Sequence, residues 1–204
     1  MSMHKNFCSI DENPSLKSDM FLEIFDKNDN STKTYAPRED VHLSKQIHRH
    51  VFLFIWIDDD MFLITRRGNS TALYKNYWTS SVSGHPEPFE NPHDAIIRET
   101  NEELGIKLEM NDIKYIGKHF TSTYYEKAFN YLYTTQISLD KLGLVFDSKE
   151  ISDMDIMSIE DIIYENKHNK KAFTPGFLSV VHIYINYLND IGIKSINNPP
   201  YSGS

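Results

Sequence analysis

The stretch that most constrains this chain runs from Gly84 to Ile106, GHPEPFENPHDAIIRETNEELGI, where a turn, a capped helix and a dense set of carboxylates follow one another without a gap. Asn91 is a good N-cap, Pro92 suits the first helical position because it has no N–H to leave unpaired, and Asp94 lies in the first turn, where the helix dipole favours negative charge. Gly105 supplies the stop. Between them Ile96, Ile97, Thr100 and Leu104 recur at helical spacing and predict an inward stripe, with Arg98, Glu99, Asn101, Glu102 and Glu103 on the other side. At about 100° per residue, Glu102 lies ~60° to one side of Glu99 and Glu103 ~40° to the other. Three carboxylates are therefore expected to face outward together, although like charges at these spacings repel. Either that face is simply solvated, or its oxygens hold a hard divalent cation such as Mg²⁺.

The whole run resembles the Nudix box, G-x5-E-x7-R-E-U-x-E-E-x-G-U, with U a bulky aliphatic residue. Gly84, Glu90, Arg98, Glu99, Glu102, Glu103, Gly105 and Ile106 stand in register, and Thr100 occupies an aliphatic position. The resemblance implies an α+β chain folded as an α/β/α sandwich, the Nudix fold, with a mixed sheet flanked by the box helix and a C-terminal helix. It also implies that Mg²⁺ or Mn²⁺ is held by Glu99, Glu102 and Glu103, joined by the carbonyl of Gly84, with Glu102 and Glu103 foremost. One of these glutamates would serve as general base. Glu90 and Arg98 are assigned to structure, pairing to pin the box loop against the helix. The implied reaction is hydrolysis of a diphosphate bond in a small molecule, nucleoside-linked or otherwise.

A formal charge of −8 argues against a nucleic-acid binder working through a basic surface, since phosphate contacts need clustered Lys and Arg. The lone cysteine, Cys8, excludes a disulfide framework within the chain and a cysteine-rich zinc site. No long apolar segment opens the sequence, and the longest apolar run, Val51 to Ile57, has strand length, so no membrane partner and a cytoplasmic location are expected. A length of 204 residues suits one domain, placed here at 19–192 between flexible segments 1–18 and 193–204.

In chain order, Met20 to Phe25 predicts an edge strand turning at Asn28, Asp29 and Asn30. A polar segment, Arg38 to Gln46, leads into a buried strand, Arg49 to Ile57. Asp58, Asp59 and Asp60 predict a hairpin turn, with Met61 to Thr65 returning and Arg66 and Arg67 ending the strand as candidate substrate contacts. Asn76 to Ser83 predicts a strand running straight into the box. Beyond the box helix, Lys114 to Phe120 and Phe129 to Ile137 predict strands joined by a turn carrying Glu126, and Asp155 to Ile159 predicts another before a short helix near Glu160 to Glu165. Thr174 and Pro175 open a helix whose stripe is Phe177, Val180, Val181, Tyr184 and Leu188, leaving His182 at the surface.

Around the box, NYWTSSVSGHPEPFENPHDAIIRETNEELGI, ITRRGNS, HLSKQIHRH and AFTPGF are similar to the type I isopentenyl-diphosphate isomerases and to the isomerase-like hydrolases beside them. Those isomerases place a catalytic cysteine just before the Gly-His-Pro; here that position is Ser83, whose hydroxyl is a poor proton-transfer group at neutral pH. Arg67 matches a diphosphate-binding residue of the isomerases, whereas Thr71 and Glu99 stand where a lysine and an arginine are expected, and Tyr124 and Glu126 match their acid pair only by half. His42, His48 or His50, His85 and Glu126 stand where the isomerases hold a metal, with His85 foremost; imidazoles suit Mn²⁺ or Zn²⁺ better than Mg²⁺. For each histidine, a hydrogen-bonded structural role is the competing reading. Tyr77, Trp78, Phe120, Tyr124 and Tyr125 either line a substrate groove or pack the core. Three functions follow: a Mg²⁺- or Mn²⁺-dependent diphosphate hydrolase, an isomerase working without its cysteine, and a ligand-sensing module without turnover. A homodimer is compatible with the chain, though no sequence feature demonstrates it.

Overall fold

The computed structural model describes residues 8–9, 21–58, 61–69, 73–123, 126–138 and 149–192. The expected C-terminal tail, most of the N-terminal segment, and Asp59, Asp60, Thr71, Tyr124 and Tyr125 lie outside these residues. A small antiparallel sheet comes first, with β1 (Cys8–Ser9) and β2 (Phe21–Phe25) on either side of β3 (Ser31–Pro37). Cys8 and Ser9 are thus paired strand rather than loose chain. The β2–β3 turn forms because the Asp26 carboxylate accepts the N–H groups of Asn28 and Asn30 at 2.8 and 2.9 Å. Asp29 there adopts φ 65°, a left-handed conformation that short polar side chains tolerate.

The polar segment expected after this sheet is in fact a helix, α1 (Arg38–Leu43), with Pro37 at its N-cap, acids in its first turn and Val41 buried. Six residues are too few for helical periodicity to reveal. The chain then builds β4 (Ile47–Asp58), β5 (Met61–Arg67), β6 (Trp78–Thr79), β7 (Val82–Gly84), α2 (Pro92–Leu104), β8 (Lys114–Ser122), β9 (Lys127–Gln136), β10 (Ile151–Met157), α3 (Ile159–Lys167) and α4 (Pro175–Asp190).

These strands form a sheet of order β10-β5-β4-β9-β8, with β6 beside β5 and β7 beside β4. The sheet is mixed because β4 and β9 run parallel from Ile47↔Lys127 to Trp56↔Gln136. The one strand expected over Asn76 to Ser83 is two, since the chain changes partner between them. Ser80 donates to the Val82 carbonyl and Ser81 to that of Leu63, giving the backbone an alternative to continuous pairing. β10 also begins earlier than expected, at Ile151, and reaches Met157.

Strand alternation divides the core. Phe52, Phe54, Phe62, Ile64 and Leu132 point to one face and pack on Ile159 and Ile162 of α3 and on Phe177, Val180, Val181, Tyr184 and Leu188 of α4. Val51, Leu53, Ile55 and Leu63 point to the other and pack on Ala95, Ile96 and Leu104 of α2. The result is the α/β/α sandwich. His182 on α4 is half-buried rather than a surface residue. Among the described residues no helix is long and apolar enough to cross a membrane.

The boundaries of α2 follow the sequence. Asn91 Oδ1 accepts the N–H groups of His93 and Asp94 at 2.9 and 3.0 Å, Pro92 opens the helix, and Gly105 closes it at φ 67°. Thr100 tolerates its apolar position because its hydroxyl donates to the Ile96 carbonyl at 2.6 Å. Asn91→Ala, which leaves those first N–H groups without their acceptor, is expected to cost about 1 kcal/mol and to lower Tm by roughly 2–4 °C. A thermal melt followed by circular dichroism reads this directly.

Candidate functional site

The box folds around Arg98. Its Nε and Nη2 donate to the two oxygens of Glu90 at 3.0 and 2.9 Å, a bidentate pair, and Nη2 also donates to the His85 carbonyl at 3.0 Å. Nη1 lies 3.0 Å from both Glu99 Oε1 and Glu102 Oε2. The Glu90 carboxylate also accepts the Glu87 N–H at 2.8 Å. The loop before α2 is therefore fastened to the helix one turn inside it.

The three box acids do not share one outward face. Glu102 is exposed, whereas Glu103 is only 8% exposed and Glu99 turns in against Gly84. A helical wheel fixes the angle between side chains but not what covers them, and here β7 and the box loop lie over the arc holding Glu99 and Glu103. Burial, reinforced by Glu102 against the opposing pull of Arg98, pushes the Glu99 carboxyl up to about 7. Burial, with Glu99 and Glu150 nearby, holds Glu103 well above the usual carboxylate range even though the Ser83 N–H and Arg67 favour its charged form. Two buried, mutually repelling acids fit a cation. Any side chain at position 84 would displace the Glu99 carboxyl, because an added Cβ would stand 2.1 Å from Glu99 Cδ.

One residue further on, His85 enters a second group. His42 from α1, His48 and His50 from β4, and Glu126 just before β9 surround it. The His85 ring stacks on His50 at 4.3 Å and lies 5.3 Å from His48 and 5.5 Å from His42. The potential ligand atoms of His42, His48 and His85 lie within 4.8 Å of one another, as do those of His50, His85 and Glu126. His48 and His50 both belong because alternate residues of a strand share a face.

The polar bonding of this group is incomplete. Both ring nitrogens of His85 and the Nδ1 atom of His42 are buried without a hydrogen-bond partner, and His50 Nδ1 reaches Glu126 Oε1 only at 3.5 Å. Burial foremost lowers His42 to about 4, lowers His50 and holds His85 well below the usual imidazole value, so all three are neutral near pH 7. His48 Nδ1 donates to the Gln46 carbonyl at 3.1 Å, which leaves Nε2 of a neutral ring bare and 3.2 Å from Glu126 Oε1. Glu126 is itself held well below its ordinary value, burial being outweighed by His48 and His50. An imidazole nitrogen facing a carboxylate oxygen at this distance needs a proton or a metal ion between them. Orphaned neutral nitrogens around one carboxylate fit a borderline divalent metal. For the competing structural reading, only His48 has a polar partner within 3.2 Å at both nitrogens.

Arg67 lies within electrostatic reach of Glu103, Glu126 and Arg38, while its Nε donates to the Leu73 carbonyl at 3.2 Å. Arg66 belongs to the opposite face of β5 and donates to the Asn76 carbonyl at 3.1 Å, so the pair is split between faces. Ser83 is buried at the end of β7, beside Glu103. Trp78 is a core residue with Lys171 Nζ 4.1 Å over its ring, whereas Tyr77 and Phe120 are partly exposed. Sequence reasoning missed Arg38, whose charge reaches His42, His50, His85 and Arg67. Its signal was its place four residues before His42, one helical turn away.

The NUDIX domain family matches residues 46–177. An isopentenyl-diphosphate Delta-isomerase of Streptomyces avermitilis is 26% identical over 166 residues, covering 79% of this chain and 82% of the relative. One from Salmonella enteritidis is 31% identical over 102 residues, covering 50% and 54%. Among solved structures, DR0079 from Deinococcus radiodurans superposes with a TM-score of 0.65 at 19% identity, covering 79% of this chain and 96% of that one. The NUDIX domain of Shewanella oneidensis NrtR, solved with ADP ribose, gives 0.51 at 14% identity, covering 70% and 87%. These two structural likenesses concern the fold.

Gly84→Ala drives the Glu99 carboxyl out of its place. Mn²⁺ affinity at the box acids is expected to fall by about tenfold or more, with the far-ultraviolet circular dichroism spectrum unchanged, as titration calorimetry would measure.

Proposed function

The chain belongs to the Nudix family, and from that premise we propose that it is a divalent-metal-dependent hydrolase of a small-molecule diphosphate. The observation that carries this reading is the burial of Glu99 against Gly84 with Glu103 beside it, a costly arrangement that a cation would relieve. Glu99, Glu103 and the Gly84 carbonyl would hold Mg²⁺ or Mn²⁺, with Glu102 joining them by leaving Arg98. The nitrogen-rich group of His42, His48, His50 and His85 with Glu126 would hold Mn²⁺ or Zn²⁺. Bound ions would supply positive charge to the phosphate oxygens and lower the pKa of a water molecule.

The chain's own residues supply the rest. Arg67 and Arg38 approach the site from β5 and α1 and would bind the remaining phosphate charge, which a guanidinium does well. Arg98 keeps Glu99 oriented while Glu90 keeps Arg98 in place. One of the box acids would take the proton of the attacking water. The partly exposed Tyr77 and Phe120 are candidates to contact the group attached to the diphosphate.

A second reading, diphosphate isomerisation, is favoured by the assembled histidines and Glu126 and by the names of the curated relatives. Ser83 stands against it, because a hydroxyl moves a proton to or from carbon far less readily than a thiol. The two reactions leave different isotopic records. Hydrolysis in ¹⁸O-water places label in a phosphate product, whereas isomerisation in deuterium oxide places deuterium on carbon.

Over a panel of nucleoside-linked and prenyl diphosphates, ¹⁸O-labelled phosphate is expected in the products. Glu103→Gln and Glu99→Gln are each expected to lower kcat by about 10²–10³. Chelation should abolish turnover, with Mg²⁺ or Mn²⁺ restoring it. Deuterium on carbon without ¹⁸O in phosphate would replace this reading with the second, and unchanged turnover in both glutamine variants would refute the role of the box.

A further inference from the structure

Outside the site, Asp29 is the most heavily engaged charge among the described residues, and nothing in the proposed chemistry uses it. It stands at the β2–β3 turn at φ 65°, yet its side chain is only 3% exposed. Its Oδ1 accepts from Arg49 Nε at 2.8 Å and its backbone carbonyl accepts from Arg49 Nη2 at 3.0 Å. Its Oδ2 accepts from Lys118 Nζ and from the Tyr131 hydroxyl. Partners from β4, β8 and β9 thus converge on one carboxylate. The Arg49 guanidinium also lies 3.9 Å over the Phe25 ring of β2, closing the same contact from the other side.

Arg49 stands between His48 and His50, and strand alternation sends it to the face opposite theirs. Holding Arg49 therefore holds the backbone that aims both imidazoles. The same docking brings in α1, because β3 runs straight into it and α1 carries Arg38 and His42. That module has only a small core of its own, Leu22, Ile24, Ala36 and Val41. Beyond the Asp29 and Phe25 contacts, it meets the box loop through Tyr35 and Phe89, with rings 5.0 Å apart.

We propose that Asp29 is a positioning residue for the histidine group: by clamping Arg49 it sets His48 and His50 from behind, and it docks the hairpin that delivers His42. The proposal rests on the reading that this group binds a metal ion. The left-handed turn position is one where glycine costs nothing in backbone strain. Asp29→Gly therefore removes the carboxylate without asking the turn to change, and Asp29→Asn removes only the charge.

The test is titration of the full chain with Co²⁺, with Mg²⁺ in excess to occupy oxygen-only sites, followed by the visible absorption of the bound ion. Both Asp29 variants are expected to bind Co²⁺ about tenfold more weakly and with a changed band shape, as when a group that orients a ligand is lost. Asp29→Gly combined with His42→Ala is expected to bind more weakly than His42→Ala alone, because His48 and His50 also lose their support, but by less than the two separate losses combined, since the His42 contact is already gone. Lys118→Ala leaves Arg49 held and is the control for general loosening, with Co²⁺ affinity retained even if Tm falls. If Asp29→Gly and Asp29→Asn bind Co²⁺ as the parent does while His85→Ala loses it, the positioning role is wrong and the metal reading stands. If His85→Ala also leaves Co²⁺ binding and its spectrum unchanged, the metal reading fails and this proposal fails with it.

Discussion

The geometry of the site depends on one guanidinium. Arg98 holds both oxygens of Glu90, reaches Glu99 and Glu102 with a single nitrogen, and takes the carbonyl of His85 as well. A planar fork with five donors can meet demands from these directions at once, which a lysine ammonium on a flexible stem cannot. The bond to the His85 carbonyl matters most, because it fixes the backbone from which the His85 ring enters the imidazole group. The acidic side of the site and its nitrogen-rich side are consequently held by the same residue, and Gly84 lies between them.

That arrangement is expensive for a fold to keep. Glu99 and Glu103 are both raised foremost by burial, Glu103 also by Glu99 and Glu99 also by Glu102, and four imidazoles crowd a single carboxylate with several nitrogens unsatisfied. Apolar side chains of similar volume would pack there with no desolvation penalty, so neither group is explained as a contribution to stability. A bound cation would remove both penalties, by neutralising the acids and by giving the bare nitrogens an acceptor for their lone pairs. Folding and ion binding would then be linked, the stability of the folded state rising with the logarithm of the free ion concentration once that exceeds Kd.

The parts that were legible in the sequence are those written in local chemistry. Asn91, Pro92 and Gly105 bound α2 because caps and stops act within a turn of themselves, and Thr174 with Pro175 opens α4 for the same reason. The buried β4 was readable from its apolar run, and both faces of the sandwich follow from its alternation. What escaped depends on partners distant in sequence. α1 is too short to show a period, the Ser80–Ser81 break depends on carbonyls supplied by β5 and β7, and the inward turn of Glu103 depends on what happens to cover the helix. Spacing alone could not choose between His48 and His50, and the strand that carries them makes the choice unnecessary.

The family match begins at residue 46, yet the site does not. His42 closes the imidazole group from a helix before that boundary, and Arg38, one turn earlier on the same helix, supplies a second guanidinium opposite Arg67. Neither residue is held by the matched region's own core. Both are carried on a hairpin module whose own apolar cluster is small. Among the described residues it meets the sandwich through the Asp29 carboxylate, the cation stacked on Phe25, the Tyr35–Phe89 pair, the packing of β2 along β4 and the ring of His42 itself, and it adds one imidazole and one positive charge to those the sandwich supplies. The asparagine- and aspartate-rich turn at residues 26–30 carries the Asp29 carboxylate through which β4, β8 and β9 hold that hairpin, so the placement of His42 and Arg38 is tied to the geometry of this turn.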